Sequence, residues 1–495
     1  MTRRKLALAA LVLLALAGVA FARPGGGESF SGGHSGGGGG GGGIGDAIDM
    51  IFFAIELIYY LVILFVDFPF VMIPLLIVIV FLIWRSAHQK RVNSGDWNSG
   101  PAATLAPPTA TAEDLRAIDP DFSRIVFEDF AFRLFSTAQR ARANPEALAA
   151  VAPYVSDQAR TELATRASAG AVQQVVVGSL RVDSVRVPSP IADGSFVEIA
   201  VEYEANVATA QHTYYSIETW TFKRAANRHS KPPGAAHTFP CPNCGAPWQA
   251  AAMGTQVCAS CGQAVDNGRF DWVVDRVDVD TNDERPPTVT EEVPERGTDD
   301  PTEEAPDLAD RMGELSTDDP NVTQASLEAR LGAIYAALNA AWSNNELGPA
   351  RPFVSDALYD YLQYWVDTYK RQTLRNQLTN MRITNTALAK VERDKYYDAV
   401  TIRLWGTGLD YVVNTDTGSV VRGSKHVERA YSEYWTIIRS AGKQGKPQTT
   451  ATCNNCGAPL HITMAGDCEH CGAHVTAGEF DWVLSKIEQD DTYMG

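Results

Sequence analysis

The sequence predicts an α+β protein made of two tandem copies of one unit behind a membrane anchor. Three observations predict it. Helical periodicity gives way to strand alternation twice along the 495 residues. A four-cysteine pattern recurs near the end of each copy. A long apolar stretch precedes both copies. The repeat length, roughly 200 residues, is far above the solenoid range, so the chain reads as a duplicated domain.

Residues 1–22 begin with Arg3, Arg4 and Lys5, continue apolar and end Ala20-Phe21-Ala22, the pattern of a secretory signal peptide. Residues 23–43 hold thirteen glycines and form a flexible tether. Residues 44–84 are the membrane region. As one helix, Ile51 to Trp84 would be about 51 Å long against a hydrocarbon core of ~30 Å. Asp46, Asp49, Glu56 and Asp67 fall on one helical face, so Gly45 to Val66 reads as an amphipathic helix with an acidic stripe. Phe68 to Trp84 carries no charge and is the candidate span. Arg85, His88, Lys90 and Arg91 follow and mark the cytoplasmic end. One span, with the signal cleaved or not, puts the remainder in the cytoplasm. A two-span hairpin after a cleaved signal would put it outside and bury Glu56, at about 2.5 kcal/mol or more. Residues 85–111 form a linker rich in Pro, Ala, Thr and Ser.

The first folded unit is placed at 112–278. Phe122, Val126, Phe130, Leu134 and Phe135 recur at helical spacing and face a core. Asn144-Pro145 ends that helix. A second helix is expected from Glu146 to Val155 and a third from Asp157 to about Leu180. Strands are expected at Val185–Val187, Phe196–Tyr203 and Tyr214–Lys223, with the last at Phe270–Val277.

All eight cysteines fall into two sets. Cys241, Cys244, Cys258 and Cys261 lie in the segment 241–264; Cys453, Cys456, Cys468 and Cys471 lie in 453–474. Each set is C-x2-C…C-x2-C, with thirteen and eleven residues between the pairs. A glycine follows the second cysteine of every pair and allows the backbone to turn. Two such knuckles offer one tetrahedral shell of four thiolates, the closed form of a structural zinc site. Disulfides are the alternative, but a disulfide framework would scatter its cysteines. Iron in a rubredoxin-like site is another, favoured only by Cys241-Pro242-Asn243-Cys244-Gly245. Two zinc ions per chain are therefore expected, both structural. His461, His470 and His474 lie in or beside the second set and are surplus to a complete shell. Each ribbon is expected to decorate a hairpin loop of the sheet.

Residues 279–318 are acidic, rich in proline and free of aromatics, and read as a disordered linker. From Asp278 to Asp319 there are sixteen acids and three bases, a net −13 out of −17 for the chain. The folded parts are near neutral, which argues against a basic nucleic-acid surface. The second unit, 319–488, repeats the plan. Its first helix carries Leu327, Leu331, Ile334, Tyr335, Leu338 and Trp342; a longer helix is expected from Ala357 to about Met381. Strands are expected at Ala399–Trp405, Leu409–Asn414 and Ala430–Arg439.

No catalytic residues are assigned. His212, Asp183 and Glu202 have no matching trio in the second unit, and His426, Asp398 and Asp410 have none in the first.

The order of short motifs is itself informative. The first unit has Tyr154-Val155-Ser156-Asp157, Glu218-Thr219-Trp220-Thr221-Phe222 and Trp272-Val273-Val274. The second has Phe353-Val354-Ser355-Asp356, Glu433-Tyr434-Trp435-Thr436 and Trp482-Val483-Leu484. With Ser29-Phe30-Ser31-Gly32-Gly33 and poly-Gly in front, this resembles bacterial relatives of the forty-four-kilodalton subunit of the mitochondrial inner-membrane protein translocase, in its C-terminal domain. The resemblance covers about two thirds of the chain. It implies a cone-like fold similar to nuclear transport factor two. It implies a non-enzymatic scaffold or tether for other proteins at a bacterial inner membrane, linked to protein transport or membrane-protein assembly. The expected partners are the lipid bilayer and a membrane-associated protein. A lipid or small-ligand carrier using the cone's cavity is the alternative.

Overall fold

The computed structural model describes residues 115–166, 170–232, 239–251, 254–284, 295 and 297–447, and in the second cysteine region 452–453, 456–458, 468–471, 478, 481–490, 493 and 495. The signal, tether, membrane region and linker expected over 1–111 lie outside them. Among the described residues no helix is long and apolar enough to cross a membrane.

The first repeat starts with three helices, α1 (Arg124–Ala141), α2 (Pro145–Ala149) and α3 (Asp157–Thr165). Each starts at a capping side chain. Ser123 accepts from Val126 N–H, Asn144 from Glu146 N–H and Ser156 from Ala159 N–H, each cap contributing about 1 kcal/mol. Strands β1 (Val172–Arg186), β2 (Phe196–Thr209), β3 (Thr213–Ala225) and β6 (Val273–Glu284) follow. They form one antiparallel sheet in the order β1-β2-β3-β6. Between β3 and β6 the chain leaves to form the first ribbon, which has its own short strands β4 (Ala250–Ala251) and β5 (Gly254–Cys258). The helices cover one face of the sheet. Phe135 stacks on Tyr203 at 4.2 Å, and Trp220, Phe222 and Trp272 complete the aromatic core.

The second repeat has α4 (Leu308–Asp318), α5 (Gln324–Ser343), a 3-10 turn (Gly348–Phe353) and α6 (Asp356–Arg371). Then come β7 (Leu374–Arg393), β8 (Tyr397–Asn414), β9 (Val420–Gly423), β10 (Arg429–Ser440) and β11 (Val483–Gln489). The main sheet runs β7-β8-β10-β11, with β9 on β8. The order matches the first repeat, and so does a finer detail. Val155 bridges Val274 in parallel, and Val354 bridges Leu484 in parallel. The following serines, Ser156 and Ser355, then cap α3 and α6. The recurring Val-Ser-Asp motif is thus one device. It adds a short parallel edge to the last strand and starts a helix there.

The repeats pack on each other. Val176 and Tyr215, on the outer face of the first sheet, join the hydrophobic cluster of the second repeat. Ile125 of α1 packs on Ala399, Ile438 and Val483. Beside it, Glu128 pairs with Arg124 at 2.7 Å and Lys486 at 2.8 Å, and Arg124 reaches Glu392.

Three expectations are corrected. The helix expected from Asp157 to Leu180 stops at Thr165, and Val175-Val176-Val177 lies in β1. The helix expected to reach Met381 stops at Arg371. Thr373 turns the chain at φ +54, and β7 begins at Leu374. In both cases strand pairing outweighs local helical periodicity. The stretch 279–318 is ordered over most of its described length. β6 runs to Glu284, Gly297–Ala305 lies against β8 and β10, and α4 buries Leu315 completely. The first repeat therefore ends past Asp278, and the second starts by Leu308 and not Asp319.

Candidate metal centres and the buried polar sites

The structure brings together the four cysteines of each set. The four Sγ atoms of Cys241, Cys244, Cys258 and Cys261 lie within 4.8 Å of one another, as do those of Cys453, Cys456, Cys468 and Cys471. Individual separations are 3.8 Å for Cys241–Cys261, 4.0 Å for Cys244–Cys258 and 3.7 Å for Cys453–Cys471. A tetrahedral ion with bonds of about 2.3 Å to sulfur requires sulfurs about 3.8 Å apart. The donor sets fit that requirement. All eight cysteines are free, and these separations are far beyond a disulfide bond of about 2.05 Å.

Backbone turns place the donors. Gly245 N–H donates to the Cys241 carbonyl at 2.9 Å, and Gly262 N–H to the Cys258 carbonyl at 2.8 Å. Gly457 N–H donates to the Cys453 carbonyl at 2.7 Å. These glycines have φ of +74°, +68° and +73°, in the left-handed region that favours glycine. The first cysteine of every pair is buried: Cys241, Cys258, Cys453 and Cys468. Cys244, Cys456 and Cys471 face solvent. Burial pushes the Cys241 thiol up to about 12, whereas Asn243, donating to Cys261 Sγ at 3.4 Å, brings that thiol down to about 6. All four positions of each shell are filled by protein, which suits a structural ion.

The first ribbon is docked on its repeat. Trp248 Nε1 donates to the Ala149 carbonyl at 2.9 Å, and the Tyr154 hydroxyl to the Pro240 carbonyl at 2.9 Å. Cys241, Cys258 and Val265 form a small core with Trp248 and Phe270.

Two buried polar sites recur in both repeats. In the Glu-x-Trp motif the two side chains share one face of a strand, so the indole reaches the carboxylate. Trp220 Nε1 donates to Glu218 at 2.9 Å, and Trp435 Nε1 to Glu433 at 2.9 Å. Gln139 and Ser216 also donate to Glu218, and Gln489 to Glu433. Burial opposes the charge on Glu218, but Arg166 and these donors hold its carboxyl below the usual range. The second site joins Asp119, Arg224 and Trp272. Arg224 Nη2 donates to Asp119 at 2.7 Å, with its guanidinium over Trp272 at 4.4 Å. Asp319, Arg439 and Trp482 repeat it at 2.9 Å and 4.7 Å. The Trp motifs were visible in the sequence. Arg224 and Arg439 were not, because an arginine within a strand pattern reads as an outward-facing residue.

The histidine trios do not assemble. His212 Nδ1 meets Glu284 at 2.6 Å in an exposed turn, while Asp183 and Glu202 both face Arg181. Asp398 pairs with Arg393, and Asp410 accepts from Asn376. His461 and His474 lie outside the described residues. A hollow of about 220 Å³ is lined by Asp318, Asp319, Arg393, Asp398 and Arg439, whose charges are paired with one another.

Residues 308–448 match the Tim44-like domain family. The match starts at the first residue of α4 and ends before Cys453, so the second ribbon and β11 lie beyond it. No curated protein matches the chain.

Proposed function

We propose, from the match of residues 308–448 to the Tim44-like domain family, that the chain is a membrane-anchored, non-enzymatic scaffold that holds other proteins at the membrane in the service of protein translocation. The Tim44-like match is the observation that carries the reading. Each four-cysteine centre binds one zinc ion as a closed structural site and fixes the ribbon on the loop it decorates. The apolar stretch 44–84 anchors the chain, and the repeats face the cytoplasm.

A second reading is a lipid or small-ligand carrier, which needs a cavity inside the repeats. Phe135, Tyr203 and Trp220 fill the first interior, and Trp342, Trp365 and Trp435 fill the second. That filling favours the outer surfaces as the working parts.

Membrane fractionation with protease protection tests the anchored reading. The full chain should stay in the membrane pellet through an alkaline wash, with its repeats open to protease only from the cytoplasmic side. Recovery in the wash, or protection on that side, would overturn it.

A further inference from the structure

From Gly297 to Ala305 the chain lies across the outer face of β8 and β10, held chiefly by its backbone. Arg403 Nη1 donates to the Asp300 carbonyl at 2.7 Å, and Arg403 Nη2 to the Gly297 carbonyl at 2.8 Å. Trp405 Nε1 donates to the Thr298 carbonyl at 3.1 Å. Glu303 N–H donates to the Tyr434 hydroxyl at 2.9 Å, and Ala305 N–H to the Ala389 carbonyl at 2.8 Å. Just ahead of this strap, Glu295 forms an ion pair with Arg429.

The face beneath the strap has contacts of its own. Arg403 Nε lies 3.0 Å from Asp490, and the guanidinium sits over the rings of Trp405 and Tyr434 at 4.4 and 5.3 Å. The strap adds little apolar packing of its own: Asp299, Asp300, Pro301, Glu303 and Glu304 are exposed. Main-chain recognition by arginine and aromatic donors, with the Glu295 carboxylate held by Arg429, would serve an extended chain that carries an acid at that place. Few buried apolar contacts make the strap a low-stability element that can leave without unfolding the sheet.

The groove is particular to this repeat. Tyr434 is the middle residue of the Glu-x-Trp motif, and Arg403 is its cross-strand partner. The same two positions in the first repeat are Thr219 and Glu202, with Glu202 paired to Arg181. The fold therefore does not require a basic, aromatic surface here.

We propose that this face is a docking groove for an extended acidic segment of a partner protein, and that Gly297–Ala305 occupies it in cis and controls access. The proposal goes beyond the anchored reading and does not rest on it, since the groove is tested without a bilayer.

Gly297 provides the handle. Its φ is +76°, and a Cβ there would stand 2.5 Å from the Asp490 Cβ, so a side chain at this position drives the strap off. Full-length protein in detergent is titrated with a labelled synthetic peptide copying residues 295–305. Gly297→Val should bind it at least tenfold tighter than the unaltered protein, and adding Arg403→Gln should abolish that gain. A second variant, with 297–305 replaced by a Gly/Ser linker, vacates the groove outright and should match Gly297→Val. A peptide with Glu295 changed to Gln should bind more weakly, because it loses the ion pair with Arg429. If the linker variant keeps its cooperative melt yet takes up the peptide no better than the unaltered protein, the proposal is overturned. Dimerisation of that variant in place of peptide uptake would assign the groove to a second copy and would also overturn it.

Discussion

Arg439 Nη1 lies 2.9 Å from Asp319 Oδ2 in the interior of the second repeat. Both side chains are only 2% exposed. The pair ties the segment before α5 to β10 and positions the arginine over Trp482, the residue that leads the chain from the ribbon back into the sheet. Arg224 and Asp119, each 1% exposed, do the same in the first repeat. These pairs are the polar pins between the helical layer, the sheet and the ribbon's return.

Removing one partner leaves the other charge buried. Asp319→Ala should therefore destabilise the second repeat by about 3–5 kcal/mol, and Asp319→Leu with Arg439→Met should cost less than the single change. Denaturant unfolding checks this. A single change costing under about 1 kcal/mol would show that the pair is solvated and not a pin.

Much of this arrangement was legible in the sequence. The eight cysteines, the insertion of each ribbon before the last strand and the Val-Ser-Asp turn follow from spacing that local geometry enforces. Elements fixed by distant partners were not. The Val175-Val176-Val177 run belongs to β1 because β2 is there to pair with it. The strap at 297–305 looked like disordered linker because its acidic, proline-containing composition hides contacts made through carbonyl oxygens.

The metal centres should be independent. Metal analysis of the full chain should find two zinc ions, and Cys258→Ser should reduce the count to one while the second centre stays loaded. Loss of both ions from that variant would contradict two separate sites. An iron reading from the unaltered protein would keep the geometry and change the ion.

The junction between repeats should weaken in acid. Burial alone would raise the Glu128 carboxyl, but Lys486 and Arg124 override it and bring it down to about 2. A lowered carboxylate contributes stability that is fully present above about 4.5 and is lost as pH falls toward 2. Glu128→Gln should flatten this acid limb and cost about 1–3 kcal/mol at neutral pH. Thermal melts from pH 2 to 7 test it, and an unchanged acid limb would contradict it.

Glu204 should act with the opposite sign. Burial pushes its carboxyl up to about 7; the Tyr215 hydroxyl bond opposes this and Glu202 adds to it. The folded chain thus keeps a proton that the unfolded chain releases near 4.5, so stability falls as pH rises from there to about 7 and then levels. Glu204→Gln should remove that fall and raise the melting temperature at pH 8. A lower melting temperature at pH 8 would contradict this.

The most direct measurement is capture of the full-length chain from gently solubilised membranes, with mass spectrometry and lipid analysis of what accompanies it. The scaffold account predicts at least one membrane-associated protein in stoichiometric amount, lost when the repeats are deleted and the anchor kept. Recovery of the chain alone, with lipid held inside the repeats, would contradict the account and establish the carrier reading.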